Sequence, residues 1–156
     1  MKPIKEEYIL IPLIVAAVPL VSAGSTMANS DWYQSLVQPS FAPPGFLFGI
    51  VWTALYILIA ISMLLVWSRV KKKNRGMIAG LFGINLFANA IWSPVFFIEH
   101  QLDLALHLAA ILALTTWLLI YELWSRERTA AWLLVPYALW TTFATVLATS
   151  IWLLNT

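Results

Sequence analysis

The sequence has no cysteine, and only 10% of its 156 residues are charged. The missing cysteine excludes disulfides and thiolate-bound metal sites. The low charge excludes an ordinary soluble domain, in which about a quarter of the residues are charged. Because 62% of the residues are hydrophobic and the mean hydropathy is +0.84, we expect the chain to use the lipid bilayer as its solvent.

Five apolar stretches are each long enough to cross a hydrocarbon core of about 30 Å, which takes about 20 helical residues. They lie at 8–27, 45–67, 77–98, 102–124 and 130–154. The first ends in a sequence like a signal-peptide cleavage site, Val21-Ser22-Ala23, but its length and the preceding Glu6 and Glu7 favour a retained helix. The predicted fold is a single domain over residues 1–156, an all-α integral membrane protein built as a bundle of five transmembrane helices.

All nine basic residues fall on one side of a five-span topology. They are Lys2, Lys5, Arg69, Lys71, Lys72, Lys73, Arg75, Arg126 and Arg128. Cytoplasmic loops carry the excess of lysine and arginine, so we predict a cell (inner) membrane protein with its N-terminus in the cytoplasm and its C-terminus outside. No nucleic-acid signature accompanies the lysine run, and contact with anionic lipid is its expected additional role.

The connection at residues 28–44 is long for a link between neighbouring helices, and long connections in compact domains are usually functional. Pro39, Pro43 and Pro44 stiffen it. Residues 31–33 predict a short turn inside it. We therefore interpret this segment as a lid at the membrane surface.

Asn85 and Asn89 lie four residues apart in the third span, and Trp92 and Phe96 continue the same helix face. Amide groups in hydrocarbon need hydrogen-bond partners. The two asparagines are therefore either links between helices or ligand contacts, and one residue can serve both purposes.

Two other spans present aromatic stripes at helical spacing. They are Trp52 and Tyr56 in the second span, and Tyr137, Trp140, Ala144 and Leu147 in the fifth. The rise of about 1.5 Å per residue places Trp52, Asn89 and Ala144 at similar depths below the lid. The pattern predicts an aromatic pocket for a flat, largely apolar ligand, with lipid-facing or core packing as the alternative for each tryptophan.

His107 is the only ionisable residue well inside a span. Ion channels and proton pumps usually need more such groups at membrane depth, so the sequence argues against both. A single histidine can ligate haem iron, but without a second ligand a packed or interfacial side chain is the better interpretation. We expect no metal site, no required cofactor and no hydrolase-type nucleophile.

The third span also contains small residues at the spacing of close helix contacts, Gly76-x-x-x-Gly80 and Ala79-x-x-x-Gly83. These four residues predict a homodimer contact. Packing within the bundle is the alternative explanation.

Four motifs connect the chain to a known family. They are Trp32-Tyr33-x-x-Leu36-x-x-Pro39-x-Phe41-x-Pro43-Pro44, Trp52-x-x-Leu55-Tyr56, Asn85-x-x-x-Asn89-x-x-Trp92-x-x-x-Phe96-Phe97 and Pro136-Tyr137-x-x-Trp140-x-x-Phe143-Ala144. In these motifs, and across all five spans, the chain resembles the TspO/MBR family, whose members are called translocator proteins, tryptophan-rich sensory proteins or peripheral-type benzodiazepine receptors.

The resemblance implies a bundle, often dimeric, that binds porphyrins such as protoporphyrin IX and, in some members, sterols or synthetic benzodiazepine- and isoquinoline-type ligands. Trp52 and Trp140 match the tryptophans proposed to mediate light-dependent porphyrin breakdown. The matched ligand-lining positions are Tyr33, Pro43, Asn89, Trp92 and Ala144. Ile84 departs from the family's dimer motif, and the sterol motif of animal members is missing.

Three functions follow as hypotheses. The first is a tetrapyrrole-binding sensor or regulator. The second is an enzyme that degrades the bound porphyrin in light, with Trp52 and Trp140 in the reaction. The third is a porphyrin or sterol transporter, for which neither inverted repeats nor broken helices at mid-membrane are evident.

Overall fold

A computed structural model of the chain describes residues 6–28 and 30–156. Within these ranges it has six α-helices, and five of them are long and apolar enough to cross a membrane. The helices are α1 (Glu7–Ala28), α2 (Ser30–Ser35), α3 (Gly45–Arg69), α4 (Arg75–Ser93), α5 (Leu102–Trp124) and α6 (Arg128–Asn155). The predicted all-α bundle is confirmed.

The third predicted span is divided into two parts. Helix α4 ends at Ser93, and a π-helical turn occupies Pro94–Ile98. Pro94 has no amide hydrogen for the α-helical ladder, and the chain continues in wider turns, with the Glu99 amide donating to the Pro94 carbonyl at 3.1 Å. Two successive side chains, Phe96 and Phe97, are thereby both buried.

The five long helices close a ring. Helix α1 packs between α3 and α4, α3 packs against α6, α6 against α5, and α5 against α4. The interior is filled mainly by leucine, isoleucine, valine and alanine side chains from the inward faces. Large apolar side chains such as Leu20, Phe46 and Phe87 remain on the outer surface, as expected for a protein whose solvent is lipid.

One end of the bundle carries the basic connections. The Arg69 guanidinium lies 3.4 Å from the Glu127 carboxylate, which joins the end of α3 to the connection before α6. The Arg128 guanidinium stands 4.9 Å above the Trp124 ring, an arrangement in which a cation is attracted to the ring face. Lys2 and Lys5 lie outside the described residues.

The opposite end of the bundle carries the lid, which contains α2 as the predicted short turn. His100, just before α5, adopts a left-handed backbone conformation with φ of 54°. Such a conformation is uncommon for a residue with a side chain. It reverses the chain and places the His100 ring flat against Trp32 of α2, with ring centroids 3.9 Å apart.

Candidate functional site

A buried polar network lies in the middle of the bundle, centred on Asn85 of α4. The Asn85 amide nitrogen donates to the hydroxyls of Thr115 and Thr116 at 2.7 and 3.1 Å, and to the Leu112 carbonyl at 3.2 Å. The Asn85 oxygen accepts a hydrogen bond of 2.8 Å from the Tyr137 hydroxyl. This single amide therefore joins α4 to both α5 and α6.

Asn89, one turn further along α4, extends the network to α3. Its oxygen accepts from the Tyr56 hydroxyl at 2.8 Å, and its nitrogen donates to the Tyr137 hydroxyl at 3.0 Å. Ser22 of α1 is a further hydrogen-bond partner of Tyr56. Both asparagines thus link helices in the structure, which was one of the two roles that the sequence predicted for them. Their contact with a ligand stays a prediction.

Five aromatic rings meet where the lid contacts the bundle and form what we call the lid cluster: Trp32, Tyr33, Trp92, Phe96 and Phe97. Phe96 is at its centre, stacked on Trp92 with ring centroids 4.9 Å apart. Trp32 and Tyr33 of the lid approach Phe96 from above, at 5.4 and 5.9 Å. Tyr33 also lies 5.9 Å from Phe97. The lid is therefore seated on the π-helical turn through aromatic contacts.

Residues of α3, α5 and α6 complete the surroundings of the lid cluster. Phe48, Phe143 and Leu147 pack in the same hydrophobic group. The Trp92 indole nitrogen donates to the Ala105 carbonyl of α5 at 2.9 Å, which holds the ring in place. Burial raises the pKa of the Tyr33 phenol, which keeps this group a neutral hydrogen-bond donor.

Trp52 lies beside the polar network. Its ring centroid is 5.5 Å from that of Tyr56 and 6.0 Å from that of Tyr137. A single indole therefore contacts both tyrosines that bind the asparagines.

Trp140 occupies a different position, between Phe48 at 5.7 Å and Phe143 at 5.5 Å. Its indole nitrogen is buried, and no acceptor for it is found in the described part of the chain. The ring also borders an apolar groove of about 490 Å³ on the outer face between α3 and α6. The other residues of the groove are Ile50, Val51, Ala54, Leu55, Leu58, Pro136, Leu139 and Phe143.

Comparison with known proteins decides the family. The sequence pattern of the TspO/MBR family matches residues 8–153. The chain belongs to the TspO/MBR family. The tryptophan-rich protein TspO of Bacillus cereus is 32% identical over 151 residues, which cover 97% of this chain and 98% of the relative. The translocator protein of Homo sapiens is 33% identical over 129 residues, covering 78% and 73%.

A third relative is the tryptophan-rich sensory protein of Cereibacter sphaeroides, 27% identical over 124 residues, covering 80% of this chain and 77% of the relative. The family resemblance drawn from the motifs is confirmed. With its five long apolar helices, this TspO/MBR member is a multi-pass membrane protein.

The site residues predicted for this TspO/MBR member fall into three places. Asn85, Asn89, Tyr56 and Tyr137 form the polar network, with Trp52 beside it. Tyr33, Trp92 and Phe96 belong to the lid cluster, and Leu147 packs against it. Trp140 stands apart between Phe48 and Phe143, while Pro43 before α3 and Ala144 on α6 are half-buried.

Several side chains of these groups were not among the predicted site residues: Trp32 and Phe97 of the lid cluster, and Phe48, Phe143, Thr115 and Thr116. Phe48 lies one turn before Trp52 on α3, so the aromatic stripe of that helix extends to it. Phe143 follows Trp140 by three residues on α6. Thr115 and Thr116 form a polar pair in the apolar middle of α5, and such a pair was a signal that α5 faces another polar group.

The small residues of α4 in this TspO/MBR chain face outward. Gly76, Gly80 and Gly83 are exposed, and among the described residues no atom apart from the chain neighbours and the helix's own backbone lies within 4 Å of a Cβ placed on any of them. Close packing within the bundle therefore does not explain these three glycines. Ala79 is half-buried. The homodimer contact stays a prediction.

Proposed function

We propose that this TspO/MBR protein is a membrane sensor that binds protoporphyrin IX or a related tetrapyrrole beneath its lid. The observation that carries the proposal is the lid cluster, in which rings from the lid and from the π-helical turn meet above the interior of the bundle. Aromatic side chains stack on flat, conjugated ligands. The sensing role is supported by the relative named a tryptophan-rich sensory protein.

The hydrogen-bond donors at the site favour a ligand with acceptor atoms. The buried indole N–H of Trp140 has no acceptor among the described residues, and such a group costs about 1–3 kcal/mol when it stays unpaired. A ligand acceptor at this position would remove that cost. The ring contacts of the lid must rearrange to admit a porphyrin, so we place entry at the lid end, where the charged propionates of the ligand can reach water.

A titration of the purified protein with protoporphyrin IX tests the proposal. We expect saturable quenching of tryptophan fluorescence. Trp140→Phe should weaken binding about 5–20-fold, because it removes one hydrogen bond and part of a ring contact. Trp132→Phe is the matched control, since Trp132 is exposed near the basic end. A wild-type protein without saturable quenching would refute the proposal.

The second candidate function is light-dependent degradation of the bound porphyrin, with molecular oxygen as the oxidant. The contact of Trp52 with two buried tyrosines favours it, because an indole beside other aromatic rings is suited to transient oxidation. Under illumination, Trp52→Phe should slow the loss of the porphyrin absorbance bands several-fold, while Trp132→Phe leaves it unchanged. If wild type and Trp52→Phe lose the porphyrin absorbance at equal rates, Trp52 takes no part in the degradation. The sensor then stays the proposed function of the pocket.

We also propose a homodimer that uses the open glycine face of α4, in the cell (inner) membrane with the basic end of the bundle in the cytoplasm. The exposed glycines support the homodimer contact. The clustering of the basic connections at one end supports the orientation in the membrane. Synthetic benzodiazepine- or isoquinoline-type ligands are expected to compete with the porphyrin for the same aromatic site.

A further inference from the structure

The last helical residue of α6, Asn155, holds the lid through its side-chain amide. Its oxygen accepts a hydrogen bond of 2.9 Å from the Val37 backbone amide, and its nitrogen donates to the Val37 carbonyl at 3.0 Å. The same nitrogen donates to the Ile151 carbonyl at 2.7 Å. The orientation of the amide is thereby fixed, because the reversed orientation would place its oxygen against two carbonyl oxygens.

This pair of bonds connects residues that are 118 positions apart. Val37 is 57% exposed, so the burial of its side chain contributes little to holding this part of the lid. Two other lid hydrogen bonds, from Ser35 to the Trp32 carbonyl and from Gln38 to the Tyr33 carbonyl, stay inside the lid. They stiffen the segment without attaching it to the bundle.

We propose that Asn155 is a positioning residue that latches the lid over the site and sets the rate at which a ligand enters and leaves. Helix α6 carries both the latch and the predicted ligand residues Tyr137, Trp140 and Leu147. A ligand that passes the lid at this edge must first separate Val37 from Asn155. The ligand part of this inference rests on the proposed function, whereas the latch is a property of the free protein.

The size of the effect follows from the number of bonds. A typical hydrogen bond changes a closed-to-open ratio by about 2–10-fold. Loss of both bonds to Val37 should therefore raise the open fraction of the lid by about 5–100-fold.

Hydrogen–deuterium exchange of the free protein measures this fraction directly, at the Val37 amide and over residues 31–44. In Asn155→Leu we expect protection to fall about 5–100-fold at neutral pH. Thr156→Ala is the matched control, because Thr156 follows α6 directly and its hydroxyl donates back to the Trp152 carbonyl of that helix, not to the lid. Wild-type protection in Asn155→Leu would overturn the proposal.

Asn155→Asp adds a readout that a purely structural role would not produce. An ionised carboxylate would face the carbonyls of Val37 and Ile151 and would repel both, so the lid should be open at pH 7. These carbonyls disfavour the charged form of the new carboxyl. At pH 4 the protonated group can again donate to one carbonyl and accept from the Val37 amide, so protection should return after correction for intrinsic exchange. Because His100 is stacked on Trp32 of the lid, wild type is measured at the same two pH values as the reference. Protection in Asn155→Asp that changes no more than wild-type protection between the two pH values would contradict the latch.

Dissociation of protoporphyrin IX separates this inference from the proposed function. In Asn155→Leu the dissociation rate should rise about 5–100-fold, and Thr156→Ala should match wild type. If no variant binds the porphyrin, the proposed function fails and the exchange measurement still decides the latch. If the porphyrin binds but dissociates at the wild-type rate from Asn155→Leu, the latch does not control ligand exchange and the inference is wrong.

Discussion

Replacing Asn85 with alanine should lower the free energy of unfolding by about 2–4 kcal/mol. The substitution removes the acceptor of the Tyr137 hydroxyl and the amide that reaches Thr115 and Thr116. Tyr137 is only 1% exposed, so its hydroxyl has no water to replace the lost partner. A buried polar group without a partner costs about 1–3 kcal/mol, and the space left by the side chain adds to that cost.

Thermal unfolding in a mild detergent measures the effect of Asn85→Ala, with an expected fall in the midpoint of about 5–15 °C. Thr53→Ala is the control. The Thr53 hydroxyl also forms a hydrogen bond inside a long helix, but its partner is the Gly49 carbonyl of the same helix and the residue is exposed. A midpoint for Asn85→Ala within about 2 °C of the control would mean that the network contributes little to stability.

Leucine at both Gly80 and Gly83 should convert the proposed dimer into monomers while the bundle remains folded. Both glycines are exposed, and a Cβ added at either position has no described atom within 4 Å apart from its chain neighbours and its own helix backbone, so we expect the monomer to accommodate the larger side chains. Leucine also favours a helix over glycine by nearly 1 kcal/mol per residue. In a dimer that uses this face, the same side chains would separate the two α4 helices. We expect the dimer dissociation constant to rise at least about 100-fold, equivalent to about 2.7 kcal/mol.

Size-exclusion chromatography with light scattering, or energy transfer between labelled chains in liposomes, reports this change. Gly49→Leu is the matched control, because Gly49 is an exposed glycine of another long helix, and a Cβ added there likewise meets no described atom within 4 Å beyond its chain neighbours and its own helix backbone. It should keep the wild-type oligomeric state. A wild-type protein that is monomeric, or a double variant that stays dimeric, contradicts the proposed contact.

Most of the fold was predictable because hydropathy is a local property of the chain. Helix α5 occupies 102–124, as predicted, and α3 and α6 extend the predicted spans by two residues or fewer at each end. The division of the third span was not predicted. A proline within an apolar stretch is compatible with a kinked helix, the end of a helix or a π-helical turn. In this protein the chain forms a π-helical turn, in which Phe96 and Phe97 are both packed in the interior.

The candidate site was predictable only as helix faces. The four-residue spacing of Asn85 and Asn89 placed both on one side of α4, and both are buried there. Their partners Tyr56, Tyr137 and Thr115 come from three other helices. Helical periodicity says which residues share a face, but it carries no information on which other helix that face meets.

The sequence by itself therefore determined the number of long apolar helices, the side that carries the basic residues and the family. Each of these depends on the composition of short segments or on motifs within them. Only the tertiary structure decided that α1 lies between α3 and α4, that the asparagines bind tyrosines, and that Asn155 reaches Val37 across 118 residues. These features depend on how the helices pack around one another, and that packing is set by shape and hydrogen bonding between segments that are far apart in the chain.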